Sequence, residues 1–229
     1  MALSYVASTT AVKDSGSGTT ITVNVPAVSN GDLMFIAVLN LGSNWTYTSG
    51  LTGWTLAQES SGAANAVVRV WQRVASSEPS SYTVTMSSAS RALAGIVAYR
   101  GYESSNPVNA ANNSSSSSAG TTFGGPNVTT SVNDCWLLTA VACRTNSSAS
   151  SSFTTSDGSD SERMDLTTVT GSSNNAGLAL YDSNRNLMSG TYSRTLTDST
   201  TWTHVSAVSL AIQPASLVAS GFSGWGMPI

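Results

Sequence analysis

The chain contains one histidine, His204, in the run WTHVSAVSLAI. It is the only side chain whose ordinary pKa lies near neutrality and so the natural candidate for a general base. Such a base needs a nucleophile within hydrogen-bond reach and an acid to orient it, and no G-x-S-x-G stretch provides that frame. The plainer expectation is a half-buried strand histidine. A lone histidine also removes every multi-histidine metal site and the zinc spacings.

Carboxylates concentrate in SDGSDSERMD (156–165), which brings together Asp157, Asp160, Glu162 and Asp165. Calcium takes six to eight oxygen ligands, so these four are the candidate metal ligands. The spacing lacks the EF-hand alternation and Arg163 stands among the acids, so a solvated acidic loop is the simpler expectation. No other metal and no cofactor is indicated: GSGTT (16–20) lacks the P-loop lysine and TFGGPN (122–127) precedes no helical pattern. With 12 acids scattered through turns, any two could be nominated as a glycosidase pair, so none is.

Trp45, Tyr47 and Trp54 cluster in NLGSNWTYTSGLTGWTL. Aromatic rings on loops can stack on sugar rings, which makes Trp45 and Tyr47 candidate glycan or partner contacts. The competing expectation is that all three bury their area inside the protein. Cys135 and Cys143 are eight residues apart in DCWLLTAVACR. On one straight strand they would stand about 26 Å apart, too far for a disulfide, so both are expected as small buried thiols.

Period-two runs must position these residues. TTITVNV, DLMFIAVLNL, ANAVVRVWQRVA, SYTVTMSS and RALAGIVAYR fill the first half, with NVTTS, DCWLLTAVACR, ERMDLTTV, AGLALYDS, TYSRTLTD and WTHVSAVSLAI in the second. Clusters such as SNGD, TSGLTG, SSEPSS and SNRN divide them, and no helical period extends beyond two turns. The prediction is an all-β fold: a single jelly-roll-like β-sandwich of ten or more strands.

The halves echo each other. NGDLMFIAVLNL aligns with VNDCWLLTAVAC at Asp32 and Asp134, ANAVVRVWQRV resembles NAGLALYDSN, and a Tyr-led run closes each half. The expected domain is therefore 1–213, with pseudo-duplicated halves 1–100 and 126–213. In this alignment Leu33, Phe35, Ala37, Leu39 and Leu41 meet Cys135, Leu137, Thr139, Val141 and Cys143 across a pseudo-twofold core. The Ser/Asn-rich segment 101–125 is expected as a long, mobile surface crossover. Residues 214–229 read as a flexible apolar tail, and its Phe222, Trp225, Met227 and Ile229 are candidate assembly contacts.

Charged residues make up only 9% of the chain, against about 25% in ordinary domains, and the formal net charge is −3. A nucleic-acid binder needs a basic face to displace counterions, and none is offered. Apolar runs fall short of the ~20 residues of a spanning helix, so no membrane partner is expected. MALSYVAS lacks the features of a cleavable signal, so synthesis in a cytosol is expected.

The order of GDLMFIAV (31–38), GWTL (53–56), VWQRVA with SEPSSY (70–82), AYRG with NPVN (98–109), ERMDLTT (162–168), AGLALYD and TWTHVSAVSLAIQP resembles a β-sandwich domain of tailed-bacteriophage virion proteins. The resemblance spans roughly residues 4–214. It implies a head decoration (cement) protein or a tail-fibre or spike module, without catalytic residues. The short length favours decoration. The implied partners are the major capsid protein or other virion subunits, with self-association into a homo-oligomer such as a trimer, at the virion surface after synthesis in host cytoplasm. A receptor- or carbohydrate-binding module of a fibre or spike is the alternative. A serine hydrolase or glycosidase is the weakest reading.

Overall fold

The computed structural model describes residues 2–41, 45–60, 65–146, 150–168 and 174–216. Phe222, Trp225, Met227 and Ile229 lie outside the described residues. The first half contributes β1 (Ser4–Lys13), β2 (Thr20–Asn24), β3 (Leu33–Asn40), β4 (Tyr47–Ser49), β5 (Thr55–Glu59), β6 (Val67–Val74), β7 (Ser81–Met86) and β8 (Ala92–Arg100). The second half contributes β9 (Val108–Ser116), β10 (Gly120–Gly124), β11 (Val128–Thr130), β12 (Trp136–Thr145), β13 (Phe153–Thr155), β14 (Ser161–Thr167), β15 (Asn175–Asp182), β16 (Gly190–Tyr192) and β17 (Thr195–Ile212). No helix occurs among the described residues, so none is long and apolar enough to cross a membrane. The fold is all-β and sandwich-like, as the alternating runs predict.

The duplication is visible in the strand order. The first large sheet runs β1-β8-β3-β6-β5; the second pairs β9 with β17 and continues β17-β12-β15-β14. Each position in one order is filled by its counterpart from the other half. In the first half β2-β7-β4 forms a small sheet opposite the large one. The order β1-β8-β3-β6 facing β2-β7-β4 is that of a jelly roll whose remaining strand, β5, has joined its hairpin partner β6. In the second half β11-β16, together with β10 and β13 on the early part of β17, occupies the equivalent outer layer.

Burial explains why the long strands are apolar on both faces. Every residue of β3 and β15 is buried. Along β3, Met34, Ile36 and Val38 pack outward against Ile21, Val84 and Met86 of the small sheet. Leu33, Phe35, Ala37 and Leu39 point the other way, into a core shared with Trp136, Leu138, Ala140 and Ala142 of β12. Strands sandwiched on both sides need unbroken apolar runs, a requirement most familiar from covered parallel sheets. The molecule thus has four layers: small sheet, large sheet, large sheet, small sheet.

Two expectations are corrected here. The Asp32/Asp134 alignment is displaced by one residue, because Leu137 faces the outer core with Val128 and Leu187, and Val141 and Cys143 face another outer core with Phe153. A one-residue slip carries every side chain to the opposite face. The segment 101–125 is not a loose crossover. Its Asn/Ser run forms β9, paired with β17 from Val108↔Ile212 to Ser116↔Val205. The run needs little apolar area of its own because the edge of β17 supplies its backbone partners, and Asn112 Nδ2 adds a bond to the Asn127 carbonyl (2.8 Å).

Local chemistry fixes the joints. Gly50 has φ +106°, and a Cβ there would lie 1.7 Å from the Thr83 carbonyl oxygen, so the β4 turn requires glycine. Gly95 serves the interface between the halves: a Cβ would sit 2.2 Å from Met164 Sδ, which reaches over from β14. In β17 the pairing shifts between Arg144/His204 and Thr145/Trp202, a bulge at Thr203. It turns Trp202 toward the outer core with Phe153, while Val208 and Leu210 enter the shared one.

Candidate functional site

The four candidate calcium ligands do not converge. Asp160 is taken by Arg194, whose Nε and Nη2 donate to its two oxygens at 2.6 and 2.8 Å. Asp157 pairs with Arg185 at 2.5 Å and accepts the Ser159 amide and hydroxyl. These Ser159 bonds hold Asp157 below the usual carboxylate range. Glu162 accepts from the Tyr181 hydroxyl (3.2 Å). Asp165 accepts from Ser152 Oγ (2.9 Å) and the Phe153 amide (3.2 Å). No group of three or more metal-binding side chains gathers among the described residues. The acids are placed as braces for strands and turns.

Asp165 is the exception in one respect. Its Oδ1 is buried without a hydrogen-bond partner, and burial, aided by the charges of Glu162 and Asp198, pushes its carboxyl up to about 6. A carboxyl that is easier to protonate in the folded chain than in the unfolded one favours folding below the unfolded value near 3.8. That contribution is lost as pH rises through about 6. Asp165→Asn, which mimics the protonated form, is expected to stabilise the protein by about 1 kcal/mol at pH 8, after allowance for solvent screening. The gain should fade to nothing at pH 4. Thermal unfolding of both proteins across that range checks the sign, and a variant less stable than the parent at pH 8 contradicts it.

The aromatic candidates are used internally. Trp45 is fully buried, donates Nε1–H to the Val67 carbonyl (3.3 Å), and is roofed by the Arg69 guanidinium 4.3 Å above its ring. Arg69 is itself held by the Trp45 carbonyl (2.6 Å) and Glu59 (2.7 Å). Trp45 therefore offers no face to a sugar, which corrects the glycan expectation. Tyr47 is half-buried, leans on Trp71 with ring centres 5.5 Å apart, and accepts the Leu51 amide at 2.6 Å. Trp54 sets its edge against Tyr82 at 5.3 Å.

His204 is a half-buried strand residue opposite Arg144, with Nδ1 3.2 Å from Thr203 Oγ1. Burial and the charge of Arg144 lower its pKa. Neither an orienting acid nor a serine other than its strand neighbours is brought to it by the bonds described. Both cysteines are free and buried. Burial first, then the charge of Asp198, raises the Cys143 thiol far above its ordinary value, which keeps it inert.

Two polar clusters were not legible in the sequence. Asp182, at the end of β15, is completely buried in the seam between the halves. It accepts from Tyr99 (2.8 Å), from Arg163 Nε (2.6 Å) and Nη2 (3.0 Å), and from the Asn184 amide (3.0 Å). Arg163 also lies 4.0 Å above the Tyr5 ring. The second cluster joins Arg194 to Asp160, to Thr139 Oγ1 and to the Leu137 carbonyl. An aspartate closing the largely apolar β15 was the available signal, but its partners Arg163 and Tyr99 lie 19 and 83 residues away in sequence.

The largest cavity described, about 570 Å³, opens where the two ends of the described chain meet. Ala2, Leu3, Val132, Asp134, Pro214 and Ala215 are among its walls. Pro214 is bridged to Tyr102, and the Ala215 amide donates to the Gly101 carbonyl (2.8 Å), so the apolar segment 217–229 follows directly from the rim. No protein family, no curated protein and no solved structure matches this chain.

Proposed function

We propose that the protein is a structural subunit of a tailed-bacteriophage virion, a head decoration protein that binds the outside of the capsid and reinforces it. The observation that carries the reading is the cavity at the root of the apolar tail, on a molecule whose acids and arginines are largely spent on internal bracing. Such a subunit binds by buried area and by repetition over a symmetric shell, where many weak contacts add to a strong one. A low-charge surface rich in Ser, Thr and Asn suits this use, since little charge must be desolvated on docking. The phage-virion resemblance of residues 4–214 supplies the identity of the shell. In this reading the partner is the major capsid protein, the subunit acts as a homo-oligomer such as a trimer, and it reaches the virion surface from the host cytoplasm.

The test uses undecorated capsids of the phage that encodes the protein. Added protein is expected to sediment with them to a fixed ratio and to raise their rupture temperature. Deleting residues 217–229 should weaken that binding at least tenfold without lowering the thermal stability of the free protein. Capsids that neither bind the protein nor gain heat resistance overturn the proposal. Specific glycan recognition by the same preparation would instead establish the fibre or spike alternative.

A further inference from the structure

The sequence holds a single Asn-Gly pair, Asn30–Gly31, in the run VSNGDL between β2 and β3. In such a pair the main-chain nitrogen of the glycine can attack the side-chain carbonyl carbon of the asparagine. Glycine has no Cβ to hinder the approach. Asparagine is for such reasons among the thermolabile residues. Ser29, Asn30 and Gly31 are exposed, while Asp32, which follows them, is buried.

The fold requires each member of the pair for a different purpose. The Asp32 amide donates to the Ser29 carbonyl (3.1 Å), which closes a four-residue turn, and Gly31 stands third in it with φ +93°. A positive φ at that place is the mark of a type II turn and favours glycine. The Asn30 side-chain oxygen accepts the Ser77 amide (2.9 Å), and Ser77 itself has φ +52°. Asn30 therefore ties the β2–β3 turn to the β6–β7 turn. The reactive pair arises from two separate structural demands.

The same bonds restrain the chemistry. The Gly31 amide, the group that must attack, donates to the Ala75 carbonyl (2.8 Å), and the Ala75 amide returns a bond to the Asp32 carbonyl (2.8 Å). The Asp32 carboxylate accepts the Ser29 amide (2.8 Å) and Nε and Nη2 of Arg100 (2.7 and 2.8 Å), which fixes the turn from inside. An amide whose proton is held by a carbonyl is a poor nucleophile, and the Asn30 side chain is engaged with Ser77. Attack requires both bonds to break, so the turn must open first. A cavity of about 230 Å³, with Ser29, Asn30, Ala75 and Glu78 among its walls, lies beside the turn and admits water to it.

We propose that Asn30 is a modification site: it loses ammonia spontaneously to become aspartate or isoaspartate, and the folded turn holds this reaction in check until the turn opens. The Gly31 nitrogen bonds to Asn30 Cγ and gives up its proton, the Cγ–Nδ2 bond breaks, and ammonia leaves with that proton. Water then opens the five-membered imide at one of its two carbonyls, giving aspartate or isoaspartate; the only co-reactant is water. Isoaspartate routes the main chain through Cβ, which lengthens the turn by one bond and draws Gly31 away from Ala75. Either product adds a negative charge close to Asp32 and Glu78. The site belongs to a joint of the first half and does not depend on the assembly reading.

The test keeps the whole protein at pH 8, folded in buffer and, in parallel, unfolded in urea, while peptide mass mapping follows every asparagine. In urea Asn30 is expected to react before the others. In the folded protein it should react at least about tenfold more slowly than in urea. Proton exchange at the Gly31 amide, read by NMR in the folded protein, should be slowed by the same factor, because one opening releases both reactions. Asp32→Ala, checked for folding by circular dichroism, removes the acceptor of the Ser29 amide and the partner of Arg100. It should speed both exchange and ammonia loss about tenfold. The first three measurements decide the matter without that variant. Equal rates in the folded and unfolded protein, another asparagine ahead of Asn30 in urea, or ammonia loss in the folded chain that outruns Gly31 exchange each overturns the proposal, as do unchanged rates in folded Asp32→Ala.

Discussion

Asp160→Asn is expected to destabilise the protein by about 3–5 kcal/mol, because it leaves a buried guanidinium without its counter-charge. The Arg194 and Asp160 side chains are only 3% and 2% exposed. Arg194 also donates to Thr139 Oγ1 (2.6 Å) and to the Leu137 carbonyl (3.0 Å), and Thr139 and Ser209 share a hydrogen bond of 2.7 Å. Those neutral partners fix the guanidinium in place, so it cannot swing out to water when the carboxylate is lost. Urea unfolding at pH 7 should show a lower midpoint with an unchanged slope, the signature of a stability loss without a change in compactness. Removing both charges, as in Asp160→Leu with Arg194→Met, should recover most of the loss, since buried pairs are often replaceable by apolar side chains. The calcium reading makes the opposite forecast. If Asp160 were a metal ligand, calcium would raise the midpoint of the parent protein and a chelator would lower it; the ion pair predicts no response to either. A parent midpoint that follows calcium, or an Asp160→Asn loss below about 1 kcal/mol, would refute the bracing role.

The sequence carried the fold further than the site, for physical reasons. Alternation and Gly/Asn/Asp punctuation act locally, so the runs that became β2, β3, β6, β7, β8, β12 and β15 could be read directly. The duplication was also legible, because ANAVVRVWQRV and NAGLALYDSN occupy the same place, as β6 and β15, in the two large sheets. Which face of β12 meets the shared core was not legible. A strand buried on both sides shows no polar face, and nothing local distinguishes Leu137 from Leu138. The Asn/Ser run of β9 failed for the reverse reason: its backbone partners are borrowed from β17, from Val205 opposite Ser116 to Ile212 opposite Val108, far along the sequence. The bulge at Thr203, which makes one continuous strand of two apparent runs, has no signal in composition. Polar residues were harder still. Trp45 and Asp160 have the types expected of sugar and calcium contacts, but their use was decided by Arg69 and Arg194, which arrive from elsewhere in the fold. The hydrogen bonds of Arg91, just before β8, and of Arg144, near the end of β12, to Asn174 join both halves and could be seen only after folding.

Separating the halves is expected to have the largest effect of all, loss of the monomeric fold. The first half has its own core, where Met34, Ile36, Trp71 and Val84 meet behind the small sheet. Its other face, with Leu33, Phe35, Leu93 and Val97, is buried only by the second half. Residues 1–104 expressed alone would expose that face as one continuous apolar patch, well beyond what soluble monomers carry. The patch normally meets a pseudo-symmetric counterpart, so a second copy of the same half is the nearest available substitute. The fragment should therefore retain a β-sheet circular dichroism spectrum yet sediment as dimers or larger species at micromolar concentration. Adding residues 105–216 should draw it back into a complex of one copy each, restoring cooperative unfolding. Asp182 sharpens the experiment, because its bond to Tyr99 joins β15 to β8 across the seam and its carboxylate is sealed from water there. Asp182→Ala should weaken reassembly of the fragments at least tenfold, while Glu59→Ala, which breaks an exposed pair with Arg69 within the first half, should leave it unchanged. A monomeric, cooperatively folded 1–104 would mean that the two sandwiches are independent and that the shared core only tethers them.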